Sequence, residues 1–206
     1  MSTSALDLAP VIPVVIVDDV ESAVPLARAL VAGGLPAVEV TLRTPAALGA
    51  IERIAAEVEG AFVGAGTVLT PDQARAAADA GARFLVTPGC TETLYGALVD
   101  TGLSFLPGTS TVSEVLALRE RGVREMKFFP AEASGGAPFL KSLASPVPDV
   151  RFCPTGGITP ASAPTYLALP NVACVGGSWM LPADAVASRD WSRVEQLARE
   201  ASGLRG

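Results

Sequence analysis

Residues 37–60 read AVEVTLRTPAALGAIERIAAEVEG, and this stretch decides the fold. In its first half Val38, Val40 and Leu42 alternate with Glu39, Thr41 and Arg43, the period of two that a β-strand imposes on its faces. In its second half the apolar residues fall three and four apart, which marks one face of a helix. A strand running straight into an amphipathic helix is one unit of a parallel α/β sheet.

The unit recurs along the chain. Apolar runs stand at VIPVVIV (11–17), AVEVTL (37–42), AFVGAGTV (61–68), ARFLVTPG (82–89), SFLPGTS (104–110), EMKFFPA (125–131), RFCPTGGI (151–158) and VACVGGSW (172–179), eight in all. Helical stretches such as SAVPLARALVAG (22–33), PDQARAAADAG (71–81) and VSEVLALRERG (112–122) lie between them. Start and stop signals predict helices from Thr44-Pro45 to Gly60, Thr70-Pro71 to Gly81, Thr111 to Gly122, and from Thr159-Pro160 onward. Trp191 to Gly206 reads as a closing helix with a frayed tail. Eight units in about 170 residues predict a compact (β/α)8 TIM barrel, with an open doubly wound sheet as the alternative. No linker or low-complexity tract interrupts the rhythm, so one domain is expected over residues 1–206.

Composition narrows the function. Of the 206 residues, 50% are hydrophobic and 17% charged, which leaves little to cover a monomer and predicts a homo-oligomer. The mean hydropathy of +0.43 agrees. Net charge is −6 with no Lys/Arg run, so no nucleic-acid partner is expected. The opening MSTSALDLAP carries no basic residue and the run at 11–17 is short and holds Pro13, so neither a signal peptide nor a membrane partner is expected. Three scattered cysteines, Cys90, Cys153 and Cys174, read as buried thiols of a cytoplasmic protein. Histidine is absent, so the chemistry must run on Lys, Glu, Asp, Arg, hydroxyls or backbone, and no metal site is expected.

In Glu125-Met126-Lys127-Phe128-Phe129-Pro130 the strand alternation sets Lys127 and Phe129 on one face and Met126 and Phe128 on the other. If Met126 and Phe128 pack on helices, Lys127 points into the barrel. There its ammonium must pair with a carboxylate or give way to the neutral amine, a nucleophile towards ketones. The plain alternative is a strand-edge lysine snorkelling to water. The chain has only two lysines, and Lys141, in the amphipathic PFLKSLA, suits a solvated helix face. That scarcity favours a function for Lys127.

Glu39, Thr41 and Arg43 share one face, with Glu39 deeper and Arg43 nearer the barrel mouth. Glu39 suits acid–base work and Arg43 suits a carboxylate, while a structural Glu39–Arg43 pair is the alternative. Gly64-Ala65-Gly66-Thr67 ends a strand with room for a ligand and a hydroxyl on Thr67. Pro154-Thr155-Gly156-Gly157-Ile158 and Gly176-Gly177-Ser178 follow the seventh and eighth strands. Barrels often bind phosphate at that place through backbone N–H groups, although either glycine pair alone could be turn geometry.

Taken together, VEVTLRT (38–44), GAGTV (64–68), FLVTPG (84–89), FLPGTST (105–111), KFFPAE (127–132), RFCPTGGI (151–158) and GGSW (176–179) resemble the 2-keto-3-deoxy-6-phosphogluconate (KDPG) aldolase family, which includes 4-hydroxy-2-oxoglutarate aldolase activity. The resemblance implies a (β/α)8 barrel, usually a homotrimer, that cleaves the phosphorylated keto-deoxy acid to pyruvate and glyceraldehyde 3-phosphate without cofactor or metal. It implies Lys127 as the Schiff-base lysine, Glu39 as acid–base, and Arg43 with Thr67 on the pyruvate carboxylate. Thr155, Gly156, Gly157 and Ser178 are implied around the phosphate, with Pro88 and Phe129 lining the pocket. The rivals are an aldolase for the galactonate-derived epimer, a phosphosugar isomerase or epimerase, and a barrel that binds phosphorylated metabolites without turnover.

Overall fold

A computed structural model describes residues 4–205. Met1 to Thr3 of the N-terminal segment and Gly206 of the expected C-terminal tail lie outside the described residues. Strands β1 (Val11–Val15), β2 (Ala37–Thr41), β3 (Phe62–Gly66), β4 (Phe84–Val86), β5 (Ser104–Leu106), β6 (Gly108–Thr109), β7 (Glu125–Phe128), β8 (Arg151–Pro154) and β9 (Val175–Gly177) alternate with helices over most of the chain. Every apolar run contains a strand. SFLPGTS contains two, β5 and β6, because Pro107 between them has no N–H for the ladder.

All strand pairs are parallel. One sheet has six strands in the order β5-β4-β3-β2-β1-β9, and a second has the order β6-β7-β8. Isolated parallel bridges Phe152↔Val172 and Thr155↔Gly176 run between β8 and the segment that contains β9.

Two apolar layers hold the strands. The larger lies between strands and helices and takes in Val38, Val40, Met126, Phe128 and Phe152. The smaller is drawn largely from early strand positions, Ile12, Ala37, Phe62 and Phe84, and is joined by Leu6. The Phe62 and Phe84 rings stack with centroids 5.6 Å apart. A Cβ at Gly64 would stand 2.4 Å from the Phe84 ring, so only glycine leaves space for it. Leu6 sits on a short helical turn, Ala5–Asp7, whose Ser4 side chain accepts from the Leu6 N–H. Ser4 Oγ donates to Glu125 at 2.7 Å, and Arg151 bonds Asp7 at 2.8 Å, tying this turn to β7 and β8. Apolar residues thus fill the early part of the strands, and polar side chains are left for their C-terminal ends.

Local signals placed some helices well. Helices α3 (Pro71–Asp79) and α5 (Val112–Glu120) open on full capping boxes, Thr70 with Gln73 and Thr111 with Glu114. Helix α1 (Val20–Ala32) is capped by Asp19, and α9 (Trp191–Ser202) by Asp190. Two expected starts are corrected. Helix α2 begins at Ala47 without a side-chain cap, because the Thr44 hydroxyl donates to the Val17 carbonyl instead. Helix α7 spans only Ala163–Leu167, because Thr159 and Ser162 bond one another in a turn that delays it. Helices α4 (Glu92–Asp100), α6 (Gly136–Leu143) and α8 (Ala183–Ala187) complete the set among the described residues. None of these helices is long and apolar enough to cross a membrane.

Candidate active site

Strand β7 aims the lysine. Met126 and Phe128 are buried in the layer beneath the helices, and the Phe128 ring stacks on Phe139 of α6 with centroids 5.1 Å apart. Alternation turns Lys127 the other way, where it is 5% exposed. Its Nζ donates to Glu39 Oε1 at 3.2 Å, and Glu39 is 2% exposed. The Lys127 Nζ also stands 5.3 Å from the centre of the Phe129 ring. A buried ion pair stripped of one partner leaves an uncompensated charge worth about 3–5 kcal/mol, so neither residue tolerates loss of the other without consequence.

This geometry disposes of two plainer readings. Lys127 does not snorkel to water, whereas Lys141 on α6 is exposed as expected. Glu39 pairs with Lys127, and Arg43 takes a different partner: its Nε donates to Thr67 Oγ1 at 3.2 Å. Arg43 is exposed and Thr67 half-buried. Thr67 has a backbone φ of 56°, rare for a β-branched residue, and strain of this kind collects where a side chain is held for a task. Thr41, on the same face in sequence, is buried and donates to the Val15 carbonyl at 2.9 Å, which makes it a strand-to-strand tie.

Small residues give Glu39 its place. A Cβ at Gly66 would lie 2.1 Å from Glu39 Oε1 and 2.5 Å from its Cγ, so the carboxylate occupies the space where a side chain at 66 would be. The room that the sequence offered a ligand at Gly66 is taken by the Glu39 side chain instead. The inward position of Gly66, two residues from Gly64 on one strand face, was the sign that it makes room for something. Gly108 pairs in register with Lys127, and a Cβ there would stand 2.3 Å from the Pro88 carbonyl oxygen. Half-buried Pro88 is therefore held one strand away from the lysine.

The glycine-rich strand ends also meet. Thr155 is 7% exposed and bridges to Gly176, at which a Cβ would stand 2.2 Å from Thr155 Oγ1. Gly156 and Gly157 have φ of 105° and 80°, which side chains rarely adopt. A Cβ at Gly156 would lie 3.3 Å from the Phe129 ring, so this turn reaches the same aromatic that flanks Lys127. Gly177 is buried against Trp179, and Ser178 is exposed beside a cavity shared with Ile16 and Asp18. The expected residues thus form three groups, Lys127, Glu39 and Phe129; Arg43 and Thr67; and the paired turns at Thr155–Gly157 and Gly176–Ser178, with Pro88 apart from them beside Gly108. Among the described residues no cluster of three or more Asp, Glu, His or Cys side chains is arranged to hold a metal ion. Of the three cysteines, Cys153 and Cys174 are buried as expected and Cys90 is only half-buried.

A buried Lys–Glu pair on neighbouring parallel sheets is compatible with several enzymes, but one match is specific. The sequence profile of KDPG and KHG aldolases fits residues 3–197. The chain belongs to the KDPG and KHG aldolase family. Within that family, the KHG/KDPG aldolase of Escherichia coli K12 is 52% identical over 198 residues, covering 96% of this chain and 93% of its own. A structure of the KDPG aldolase from Legionella pneumophila, with pyruvate captured at low pH as a covalent carbinolamine intermediate, superposes with a TM-score of 0.94 at 44% identity, covering 97% of each chain. The Zymomonas mobilis ZM4 KDPG aldolase with 3-phosphoglycerate gives 0.92 at 50% identity, covering 97% of this chain and 94% of that one.

Proposed function

We propose that this chain is a class I aldolase, a lyase that cleaves 2-dehydro-3-deoxy-6-phosphogluconate to pyruvate and glyceraldehyde 3-phosphate. The observation that carries it is the contact of Lys127 Nζ with Glu39 Oε1, 3.2 Å apart and almost out of water. An amine attacks a ketone only when it is unprotonated, and the carboxylate in contact with it is the group to take and return the proton. Support comes from the relatives named KDPG and KHG/KDPG aldolase and from the carbinolamine found in the Legionella protein.

Lys127 adds to the C2 carbonyl and forms the carbinolamine. Glu39 protonates the departing hydroxyl, directly or through water, and water leaves as the protonated imine forms. That imine accepts the electron pair of the C3–C4 bond while the C4 hydroxyl gives its proton to a base, freeing the aldehyde and leaving an enamine. Protonation at C3 and hydrolysis release pyruvate and restore the amine. Arg43 and Thr67 hold the pyruvate carboxylate, Pro88 and Phe129 wall the pocket, and Thr155, Gly156, Gly157, Gly177 and Ser178 receive the phosphate through backbone N–H groups and hydroxyls. Support for the last role is the convergence of the two glycine turns at the Thr155↔Gly176 bridge. This chain needs no cofactor or metal for these steps.

The two sheets are read as one closed (β/α)8 barrel in a single domain. In favour stand the run 104–109, which supplies one strand to each sheet, and the bridges from β8 towards β9. A homotrimer in the cytoplasm completes the reading, supported by the low charge content and by exposed apolar residues such as Leu69, Val99, Val112 and Leu116. The same lysine would also cleave 4-hydroxy-2-oxoglutarate to pyruvate and glyoxylate, an activity favoured by the dual name of the E. coli relative.

Pyruvate release from the phosphorylated substrate, its galactonate-derived epimer and 4-hydroxy-2-oxoglutarate, measured side by side, tests the assignment. The highest kcat/KM is expected on the gluconate-derived substrate. Absence of pyruvate from all three contradicts the reading.

A further inference from the structure

Glu132 takes no part in the chemistry above, yet it makes two contacts with the turn assigned to phosphate and a third with the helix that follows it. Its backbone N–H donates to the Gly156 carbonyl at 3.1 Å, next to a bond of 2.8 Å from Ala131 N–H to the Thr155 carbonyl. Its stem underlies Gly157, where a Cβ would stand 2.7 Å from Glu132 Cγ. Its carboxylate accepts from the Tyr166 hydroxyl at 2.6 Å. Tyr166 lies on α7, the helix that follows the turn, and is 1% exposed.

The loop from β8 to α7 is therefore pinned to the segment that follows β7 at both of its ends, and Glu132 serves both. The bond to Tyr166 has the short length of a hydroxyl on a carboxylate, roughly twice as strong as a neutral one. Burial, and then the Glu132 carboxylate, hold the phenol well above its ordinary pKa, so it remains a donor. A carboxylate beside a turn that receives an anion is adverse in itself. Tyr166 compensates by fixing the charged end of Glu132 on the helix.

We propose that Glu132 and Tyr166 are positioning residues that hold the Gly156-Gly157 turn in the shape that recognises the phosphate of the substrate. The pair thereby sets the preference for phosphorylated over unphosphorylated 2-keto acids, a claim that rests on the aldolase reading above. Neither residue touches the reacting atoms. Loss of the latch weakens capture of the phosphate end and leaves Schiff-base formation with pyruvate intact.

The test compares 2-dehydro-3-deoxy-6-phosphogluconate with 4-hydroxy-2-oxoglutarate, which carries no phosphate, in wild type, Tyr166→Phe, Glu132→Ala and Glu132→Gln. Tyr166→Phe and Glu132→Ala are expected to raise KM for the phosphorylated substrate about threefold to tenfold, the effect of one lost hydrogen bond. KM and kcat for the unphosphorylated substrate stay within about twofold, as does the borohydride adduct with pyruvate. Glu132→Gln keeps the stem and an acceptor for Tyr166 and is expected to restore near wild-type KM. Inhibition by inorganic phosphate should weaken in the same two variants. Equal changes on both substrates, or none on either, overturn the latch; should Tyr166→Phe not fold, Glu132→Ala reads the same quantity at an exposed position. Failure of the wild type to form a pyruvate adduct would instead overturn the aldolase reading.

Discussion

Lys127 Nζ and Glu39 Oε1 lie 3.2 Å apart although their residues belong to different sheets, β7 in the three-stranded sheet and β2 in the six-stranded one. The contact joins positions 88 residues apart in the chain and is shielded from water on both sides. It ties the two sheets together, and in the reaction we propose it would also be the proton relay.

Glu39→Gln keeps the shape and an acceptor oxygen but cannot carry the proton. We expect kcat to fall about 10²- to 10⁴-fold, the usual range for a positioned acid–base group. Adduct formation on Lys127 slows with it, and near-UV circular dichroism stays native. Steady-state kinetics that leave kcat within a few-fold of wild type would remove Glu39 from the proton path.

Gly66→Ala tests how finely the carboxylate is placed. The added methyl would overlap Glu39 Oε1 and Cγ, so Glu39 must move by about an ångström, a displacement of the kind that costs about 100-fold in rate. The loss is expected in kcat with pyruvate binding little changed. An unaltered kcat would mean that Glu39 has freedom which its surroundings do not suggest.

Thr67→Gly separates strain from function. Glycine adopts a φ of 56° readily, so relief of about 1 kcal/mol offsets the lost contacts and the melting temperature should not fall. The hydroxyl that meets Arg43 is lost, and KM for pyruvate adduct formation should rise severalfold. A lower melting temperature with unchanged KM would reverse both halves of this account.

Cys90 is half-buried, and burial pushes its thiol from 9.0 up to about 11. The thiolate is the reactive form, and a higher pKa lowers its fraction at any pH below it. At pH 8 alkylation of Cys90 by iodoacetamide in the native protein should run about 100-fold slower than in the unfolded chain, and should speed up towards pH 11. Equal rates native and unfolded at pH 8 would contradict the shift.

Features that depend on neighbours in the chain were legible in the sequence. The alternation around Lys127 told which way it faces, and Thr70 and Thr111 marked helix starts because their caps are closed by residues three positions on. Thr44 looked the same, but its hydroxyl reaches Val17 on the preceding strand-to-helix segment, a contact that exists only once β1 and β2 are paired. The partner of Glu39 was hidden for the same reason: Arg43 is close in sequence, and Lys127 is close only in space. Gly66 and Gly108 are informative through what occupies the space beside them, Glu39 and Pro88, which composition does not reveal.

The most direct test is reduction with sodium borohydride in the presence of pyruvate, followed by peptide mass mapping. A covalent pyruvate-derived adduct is expected on Lys127 and on no other residue, including Lys141, with aldol cleavage lost in proportion to labelling. Lys127→Ala should form no adduct and cleave no substrate. An unlabelled wild-type protein, a label on Lys141, or full cleavage by Lys127→Ala would contradict the central claim.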